Sequence, residues 1–202
     1  MGFFPFYTDI QDKSCLIIGG GKVALRKAEK ILLFGADITV ISPQICKELE
    51  ALPVKRMYRK FKDTDIDTAF FVIYAADAHD LAEHIAVLCR ERNIPLNSVD
   101  DIENCSFIFP ALAVKDSITI SISTGGSSPV FAKYLKERIE AMLDERTINI
   151  GKLLSEYRSV IKQRYKSEDL RLKANEKLLE SCLEADELPD DKEIMDILEH
   201  IE

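Results

Sequence analysis

Three short stretches carry residue types on which chemistry could be built. Gly19-Gly20-Gly21-Lys22-Val23-Ala24 follows an apolar run and fits the pattern G-x-G-x-x-A. In such a pattern Gly19 allows a tight turn, Gly21 lets a pyrophosphate approach the backbone, and Ala24 lets a helix pack closely on a strand. The phosphates then meet unpaired N–H groups and the positive end of the helix dipole. The second stretch, Asn97-Ser98-Val99-Asp100-Asp101, offers a carboxylate that could take a proton beside a cofactor. The plainer alternative is two solvated turn aspartates. The third, Thr124-Gly125-Gly126-Ser127-Ser128-Pro129, opens another helix. Ser128 suits an N-cap and Pro129 a first helical position, so the stretch is either a well-made helix start or a second anion site. Lys133 lies one turn into that helix.

These stretches need elements to hold them. Cys15 to Ile18 is a short apolar run closed by glycine, which predicts a buried strand. Val23 to Phe34 has helical spacing and ends at Gly35, a C-cap glycine. Further strands are predicted over 38–41, weakly over 54–61, over 70–74 and over 94–99, with a helix over 79–92. Strands alternating with helices imply a parallel sheet covered on both faces. Past Pro110 the texture changes. Ser117 to Ser123 alternates strictly, as a strand with one buried face does, and a helix is predicted over 129–143. From Ile148 onward the chain reads as charged helices. The fold class expected is α/β: a Rossmann-type doubly wound parallel sheet, then a small α+β region, then a helical C-terminal part.

In open parallel sheets, ligands sit outside the carboxyl ends of the strands. That rule selects Gly19–Val23, Ser42–Gln44, Ala75–Asp77 (with Ala76 at its centre) and Asn97–Asp101. One customary feature is missing. A dinucleotide-binding unit usually places Asp or Glu at the end of its second strand to hold a ribose. Here that strand runs into Ser42-Pro43-Gln44, where Ser42 or Gln44 would bond a ribose more weakly. Asp37 precedes the strand, at the wrong end of the sheet.

Composition narrows the classes. The chain has 202 residues, with 27 Lys and Arg against 35 Asp and Glu, for a net charge of −8. That balance argues against a nucleic-acid binder. The five cysteines, Cys15, Cys46, Cys89, Cys105 and Cys182, are widely spaced, without a C-x-x-C pair. They read as reduced thiols of a cytoplasmic protein. No apolar run approaches the roughly 18–20 residues of a membrane span, and the N-terminus does not read as a signal peptide. His79, His84 and His200 show no metal-ligand spacing.

Taken together, PFYTDIQDKSCLIIGGGKVALRKAEKILLFGADITVISP, NSVDDIENCSFIFPA and SISTGGSSPVFAKYLKERIE resemble one family, the siroheme-synthase, precorrin-2 dehydrogenase family. The resemblance covers residues 3–145 clearly and the tail loosely. It implies a homodimeric enzyme that oxidises precorrin-2 to sirohydrochlorin and passes a hydride to NAD. It also implies an NAD-binding Rossmann domain over 1–112, a dimerisation region over 113–145 and a helical C-terminal domain over 146–202. The family's essential aspartate falls on Asp100, with the expected role of general base. Cofactor contacts fall on Gly21, Lys22, Val23, Pro43 and Gln44, beside Gly19, Ser42 and Ala76 from the sheet-edge rule. The loop Thr124, Gly125, Gly126, Ser127, Ser128 lines the tetrapyrrole side. Thr124 stands where many relatives carry serine, and the hydroxyl is kept. The substrate is a polycarboxylate, so the helix start near Ser128, with Lys133, suits it.

Two alternatives stand beside this reading. Some relatives also insert iron, which would make the chain a sirohydrochlorin ferrochelatase as well; otherwise a separate chelatase would be a partner. Because the chain stops at Glu202, the fused methyltransferase of other relatives is expected to be absent. A different class is a dinucleotide-sensing regulatory module, which needs the first glycine cluster but neither Asp100 nor the Thr124–Ser128 loop.

Overall fold

The computed structural model describes residues 3–99 and 101–201, so Asp100 lies outside the described residues. The chain divides into two compact units, Met1–Phe109 and Pro110–Glu202.

The first unit is a five-stranded parallel sheet. Its strands are β1 (Ser14–Ile18), β2 (Asp37–Ile41), β3 (Lys55–Met57), β4 (Phe71–Tyr74) and β5 (Leu96–Ser98), in the order β3-β2-β1-β4-β5. Cys15–Ile18 of β1 and Phe71–Tyr74 of β4 form unbroken buried runs because both faces of these strands are covered. Cys15 and Ile17 of β1, Ile38 and Val40 of β2, and Phe71 and Ile73 of β4 share one core with Ala24, Ala28 and Ile31 of helix α1 (Lys22–Leu32). Leu16, Ile18, Val72 and Tyr74 face the other way, onto Ala82, Ile85, Ala86 and Cys89 of helix α3 (His79–Glu91). Cutting an isoleucine of either core to alanine costs about 2–5 kcal/mol.

The small residues Ala24 and Ala28, both fully buried, let α1 lie close on the sheet. The helix ends at Leu32, two residues earlier than its periodicity predicts. A further turn carries the chain to Gly35, which takes a positive φ of 74°. The weak third strand shrinks to Lys55–Met57, whose side chains are all exposed. With no apolar side to bury, it forms a short edge strand. A one-turn helix, α2 (Lys47–Glu50), precedes it and buries only Leu49.

The second unit opens with an antiparallel hairpin, β6 (Ala111–Lys115) and β7 (Ile118–Ile122). Asp116 makes the turn with φ 52°. Helix α4 (Pro129–Met142) packs on the hairpin. Helices α5 (Glu145–Arg164), α6 (Glu168–Glu184) and α7 (Asp191–Glu199) then enclose Ile150, Ile161, Ala174, Leu178, Cys182, Ile194 and Leu198. Their starts are well made. Asp144 accepts the Thr147 N–H at 2.8 Å. Asp190 and Glu193 form a reciprocal capping box at the start of α7. No described helix is long and apolar enough to cross a membrane.

Candidate functional site

The parallel register brings four loops to one edge of the sheet. Gly19 N–H donates to Ile41 O at 3.0 Å, Ala75 N–H to Ile18 O at 2.8 Å, Val99 N–H to Tyr74 O at 3.0 Å and Ser42 N–H to Met57 O at 3.1 Å. Each bond closes the last rung before its loop departs. Gly19, Ser42, Ala75 and Val99 therefore leave the carboxyl edge side by side. From β1 the chain runs outward to β2 and β3, then returns to β4 and β5 on the other flank. That reversal falls between the loops after β1 and β4, the position at which this class of sheet takes its ligand.

The three glycines of the first loop have different physical reasons. Gly19 has φ +126°, and a Cβ there would lie 2.1 Å from the Ala75 carbonyl oxygen. Gly20 has ordinary φ, but a Cβ on it would lie 2.0 Å from Gln44 O and 2.9 Å from Ile45 Cα. Its own carbonyl accepts the Cys46 N–H at 2.8 Å. Gly21 is the N-cap of α1, and a Cβ there would meet nothing within 4 Å. No side chain caps α1 and no acidic residue stands in its first turn. The helix thus presents its N–H groups and positive dipole end, with Lys22 exposed beside them. An open glycine at an uncapped helix start fits a pyrophosphate.

After β2, the Gln44 N–H donates to Ser42 Oγ at 3.4 Å, while Pro43 and Gln44 are exposed. The polar groups that this loop presents are a hydroxyl, an amide and main chain. Asp37 is the first residue of β2 and bonds Lys55 Nζ at 2.6 Å, at the opposite edge of the sheet. Ala76, after β4, is exposed, and its amide nitrogen would lie 3.3 Å from a Cβ on Gly19. Tyr74, buried at the end of β4, donates its hydroxyl to Ala78 O at 2.6 Å and so ties down the loop after that strand.

The end of β5 is polar and buried. Asn97 and Ser98 are 5% and 3% exposed, and Asn97 Oδ1 and Ser98 Oγ have no hydrogen-bond partner among the described residues. Such atoms cost about 1–3 kcal/mol each when left unpaired. Asn97 Nδ2 donates to Phe107 O at 3.0 Å. Asp101 caps a 3-10 turn, Ile102–Asn104, accepting Asn104 Nδ2 at 2.8 Å. Asp101 is thus the turn-capping carboxylate of the pair.

In the second unit, the residues Thr124–Ser128 form a tight loop that uses its own hydroxyls. Thr124 Oγ1 accepts the Ser128 N–H and donates to Ser128 O, both at 3.1 Å. Ser127 Oγ donates to Thr124 O at 2.6 Å, and Ser128 Oγ caps α4 by accepting the Phe131 N–H at 3.3 Å. Gly125 and Gly126 take φ of 62° and 84°, which is why glycines stand there. Lys133 is exposed and lies 3.7 Å from Glu137.

The histidines are dispersed. His79 approaches Glu83 at 3.6 Å, His84 lies 2.9 Å from Asp63, and His200 Nδ1 lies 2.9 Å from Asp196 O. Among the described residues, no group of three or more His, Cys, Asp or Glu is gathered that could hold a metal ion. Burial pushes the Cys15 thiol far up and the Cys89 thiol up to about 11, which leaves both unreactive.

The pattern G-x-G-x-x-A named Gly19 and Gly21 but not Gly20, whose constraint comes from the main chain of Gln44. Asn97 and Ser98 lay in the edge segment Asn97–Asp101 but were given no role of their own, and Cys105 was absent from the predicted site. The only sequence signal for them was two polar residues at the end of a strand flanked by buried ones.

Comparison with known proteins agrees with this geometry. Residues 6–111 match the family described as putative NAD(P)-binding. Residues 115–142 match the family described as sirohaem biosynthesis protein central. The chain is 41% identical over 184 residues to a siroheme synthase of Thioalkalivibrio sulfidiphilus (strain HL-EbGR7), covering 89% of this chain and 38% of the relative. A siroheme synthase of Pseudoalteromonas translucida (strain TAC 125) is 34% identical over 170 residues, covering 82% and 36%. The chain spans less than two fifths of the length of these relatives. Among solved structures, that of SirC, precorrin-2 dehydrogenase, has a similar fold, with a TM-score of 0.68, 22% identity and 98% of each chain covered.

Proposed function

Because the chain belongs to the putative NAD(P)-binding family through residues 6–111 and matches the sirohaem biosynthesis protein central family over residues 115–142, we propose that it is an NAD-dependent dehydrogenase that oxidises precorrin-2 to sirohydrochlorin. The observation that carries this reading is the open, uncapped glycine turn at Gly21, on the same sheet edge as the strand leading to Asp100. NAD, when bound, supplies the hydride acceptor. Gly21, Lys22 and Val23 hold its pyrophosphate at the start of α1, and Ser42, Pro43 and Gln44 hold the adenosine ribose. Residues 42–44 carry no cation to receive a 2′-phosphate, which favours NAD over NADP. Ala76 borders the cofactor after β4, and Gly19 allows the close turn.

The reaction removes one hydride and one proton from the substrate. Asp100 is the general base in this proposal: it accepts the proton as the C–H bond that yields the hydride breaks. Thr124, Gly125, Gly126, Ser127 and Ser128 bind substrate carboxylates through main-chain N–H groups at the start of α4, with Lys133 adding positive charge. The hydroxyls of this loop serve its shape, so they act on the substrate indirectly. The enzyme works as a homodimer. Val130, Phe131, Tyr134 and Met142 of α4 support this, being 81%, 51%, 51% and 73% exposed, with Phe131 and Tyr134 stacked. An apolar surface of that kind marks a protein contact.

The test is to mix the protein with precorrin-2 and NAD and follow the spectrum of sirohydrochlorin together with NADH absorbance. Both signals should rise in equal amounts. No turnover would refute the dehydrogenase reading, and a regulatory module would then bind NAD without consuming it. Asp100→Asn should bind NAD normally and lose turnover by about 10²–10⁴-fold, the range of a positioned base.

A further inference from the structure

We propose that Cys105 is a positioning residue for Asp100, tying together Ser98 and Asp101 on either side of it in the chain; the inference rests on the general-base reading above. Cys105 follows the 3-10 turn after β5, where the chain comes back alongside that strand. The return is anchored by main chain and hydroxyl. Ser106 N–H donates to Leu96 O at 2.9 Å, and the Leu96 N–H donates to Ser106 Oγ at 2.7 Å. This places the Cys105 sulfur against Ser98 and Asp101. Its Sγ accepts the Ser98 N–H at 3.2 Å and faces the carbonyl oxygens of Ser98 and Asp101 at 3.1 and 3.3 Å, sharing its one proton between them. Asn97 Nδ2 approaches it at 3.6 Å. One atom thus bonds the residue before Val99 and the residue after Asp100.

The strand end beside Cys105 is polar and buried. Asn97 Oδ1 and Ser98 Oγ, both buried within two residues of the turn, lack partners among the described residues. The thiol also stays a thiol. Burial, the largest cause, holds its pKa above the ordinary value, and the nearby Asp101 acts in the same sense. It is therefore a poor nucleophile, and its proton remains available to the two carbonyls. Serine keeps one donor and one acceptor at this position with a shorter reach, whereas alanine keeps neither.

The experiment compares the full chain with Cys105→Ala, Cys105→Ser, Asp100→Asn and the double variant Cys105→Ala/Asp100→Asn. It reads kcat and KM for precorrin-2, the Kd for NAD and the pH profile of kcat. Misplacing a reacting group by about 1 Å costs up to ~10²-fold in rate. Cys105→Ala should lower kcat about 10- to 100-fold by that reasoning. It should leave the NAD Kd within about twofold and shift the acid limb of the pH profile, because the base sits in a changed environment. Cys105→Ser should recover most of the loss. In the Asp100→Asn background, Cys105→Ala should cost nothing further, since a residue acting through another is silent once that other is gone. Wild-type kcat in Cys105→Ala beside an inactive Asp100→Asn overturns the positioning role alone. The same follows from an added tenfold loss in the double variant. Wild-type turnover in Asp100→Asn overturns the base itself and leaves Cys105 nothing to position.

Discussion

Gly21→Ala separates the cofactor role of the glycine turn from its role in the fold. Gly21 has φ −90° and ψ −172°, extended backbone open to any residue, and an added Cβ meets nothing within 4 Å. The folded protein therefore accepts the methyl without strain. Alanine is a poorer N-cap than glycine by roughly 0.5–1 kcal/mol, and the stiffer unfolded chain returns about 0.4–1 kcal/mol. The net change in stability is within about 0.5 kcal/mol on those two values. On the proposed placement, the same methyl stands where the pyrophosphate approaches. Crowding of one methyl into a close contact costs about 1–3 kcal/mol, which weakens NAD binding by about 5- to 140-fold. The chain contains no tryptophan, so titration calorimetry is a better assay than indole quenching, with thermal melting run in parallel. Gly19→Ala is the contrasting control. Its φ of +126° and the Ala75 oxygen at 2.1 Å combine strain of about 1–3 kcal/mol with overlap of similar size, a large share of the roughly 5–15 kcal/mol of a typical domain. NAD binding within twofold of wild type in Gly21→Ala would refute the placement of the pyrophosphate. A fall in melting comparable to that of Gly19→Ala would refute the open space.

Two further outcomes concern the scaffold. Arg146 donates to the carbonyls of Cys182 at 2.8 Å and Asp186 at 2.6 Å, and to that of Ala185, tying the end of α6 to the start of α5. Arg146→Leu should lower the stability of the helical unit by about 2 kcal/mol, or roughly 8–16 °C in its melting; an unchanged transition would show that water replaces these bonds at no loss. Two carboxylates should make the protein acid-sensitive. Hydrogen bonds from the Arg59 guanidinium hold Asp65 below the usual carboxylate range, and the Thr147 N–H does the same for Asp144. A folded pKa below the unfolded value means that this stability is fully present above about pH 4 and is lost as pH falls through the folded value. Asp65→Asn should therefore lose less melting temperature than wild type between neutral pH and about pH 3, and parallel curves would count against the argument.

What the sequence revealed follows from where its constraints lie. β1 and β4 were legible because strands buried on both faces must be apolar at every position, and Cys15–Ile18 and Phe71–Tyr74 are. The starts of α1 and α4 were legible from Gly21, Ser128 and Pro129, since capping is local. The strand Ala111–Lys115 was not, because its turn is Asp116-Ser117 rather than a glycine pair, and its pairing with Ile118–Ile122 shows only once the hairpin closes. Cys105 was silent for the same reason. Its bonds to Ser98 and Asp101 depend on the return of the chain along β5. Composition suggested a reduced thiol without indicating what that thiol holds.

On the proposed cofactor placement, the missing ribose carboxylate is offset by how the second loop is attached. In most dinucleotide sheets an acid at the end of β2 supplies a specific bond to the ribose, and the loop around it is free to vary. Here the loop is bound to the glycine turn itself. Gly20 lacks the Cβ that would strike Gln44 O, and its carbonyl receives the Cys46 N–H. The segment 42–46 is therefore held directly against the turn 19–21. A ribose held by Ser42, Gln44 and main chain would gain from that attachment part of what it loses in charge, because less ordering remains to be done on binding. The arrangement also makes Gly20 different in kind from its neighbours. A side chain at Gly21 touches only the ligand, and one at Gly19 chiefly damages the fold. One at Gly20 pushes the ribose loop off the phosphate loop and impairs both in a single step.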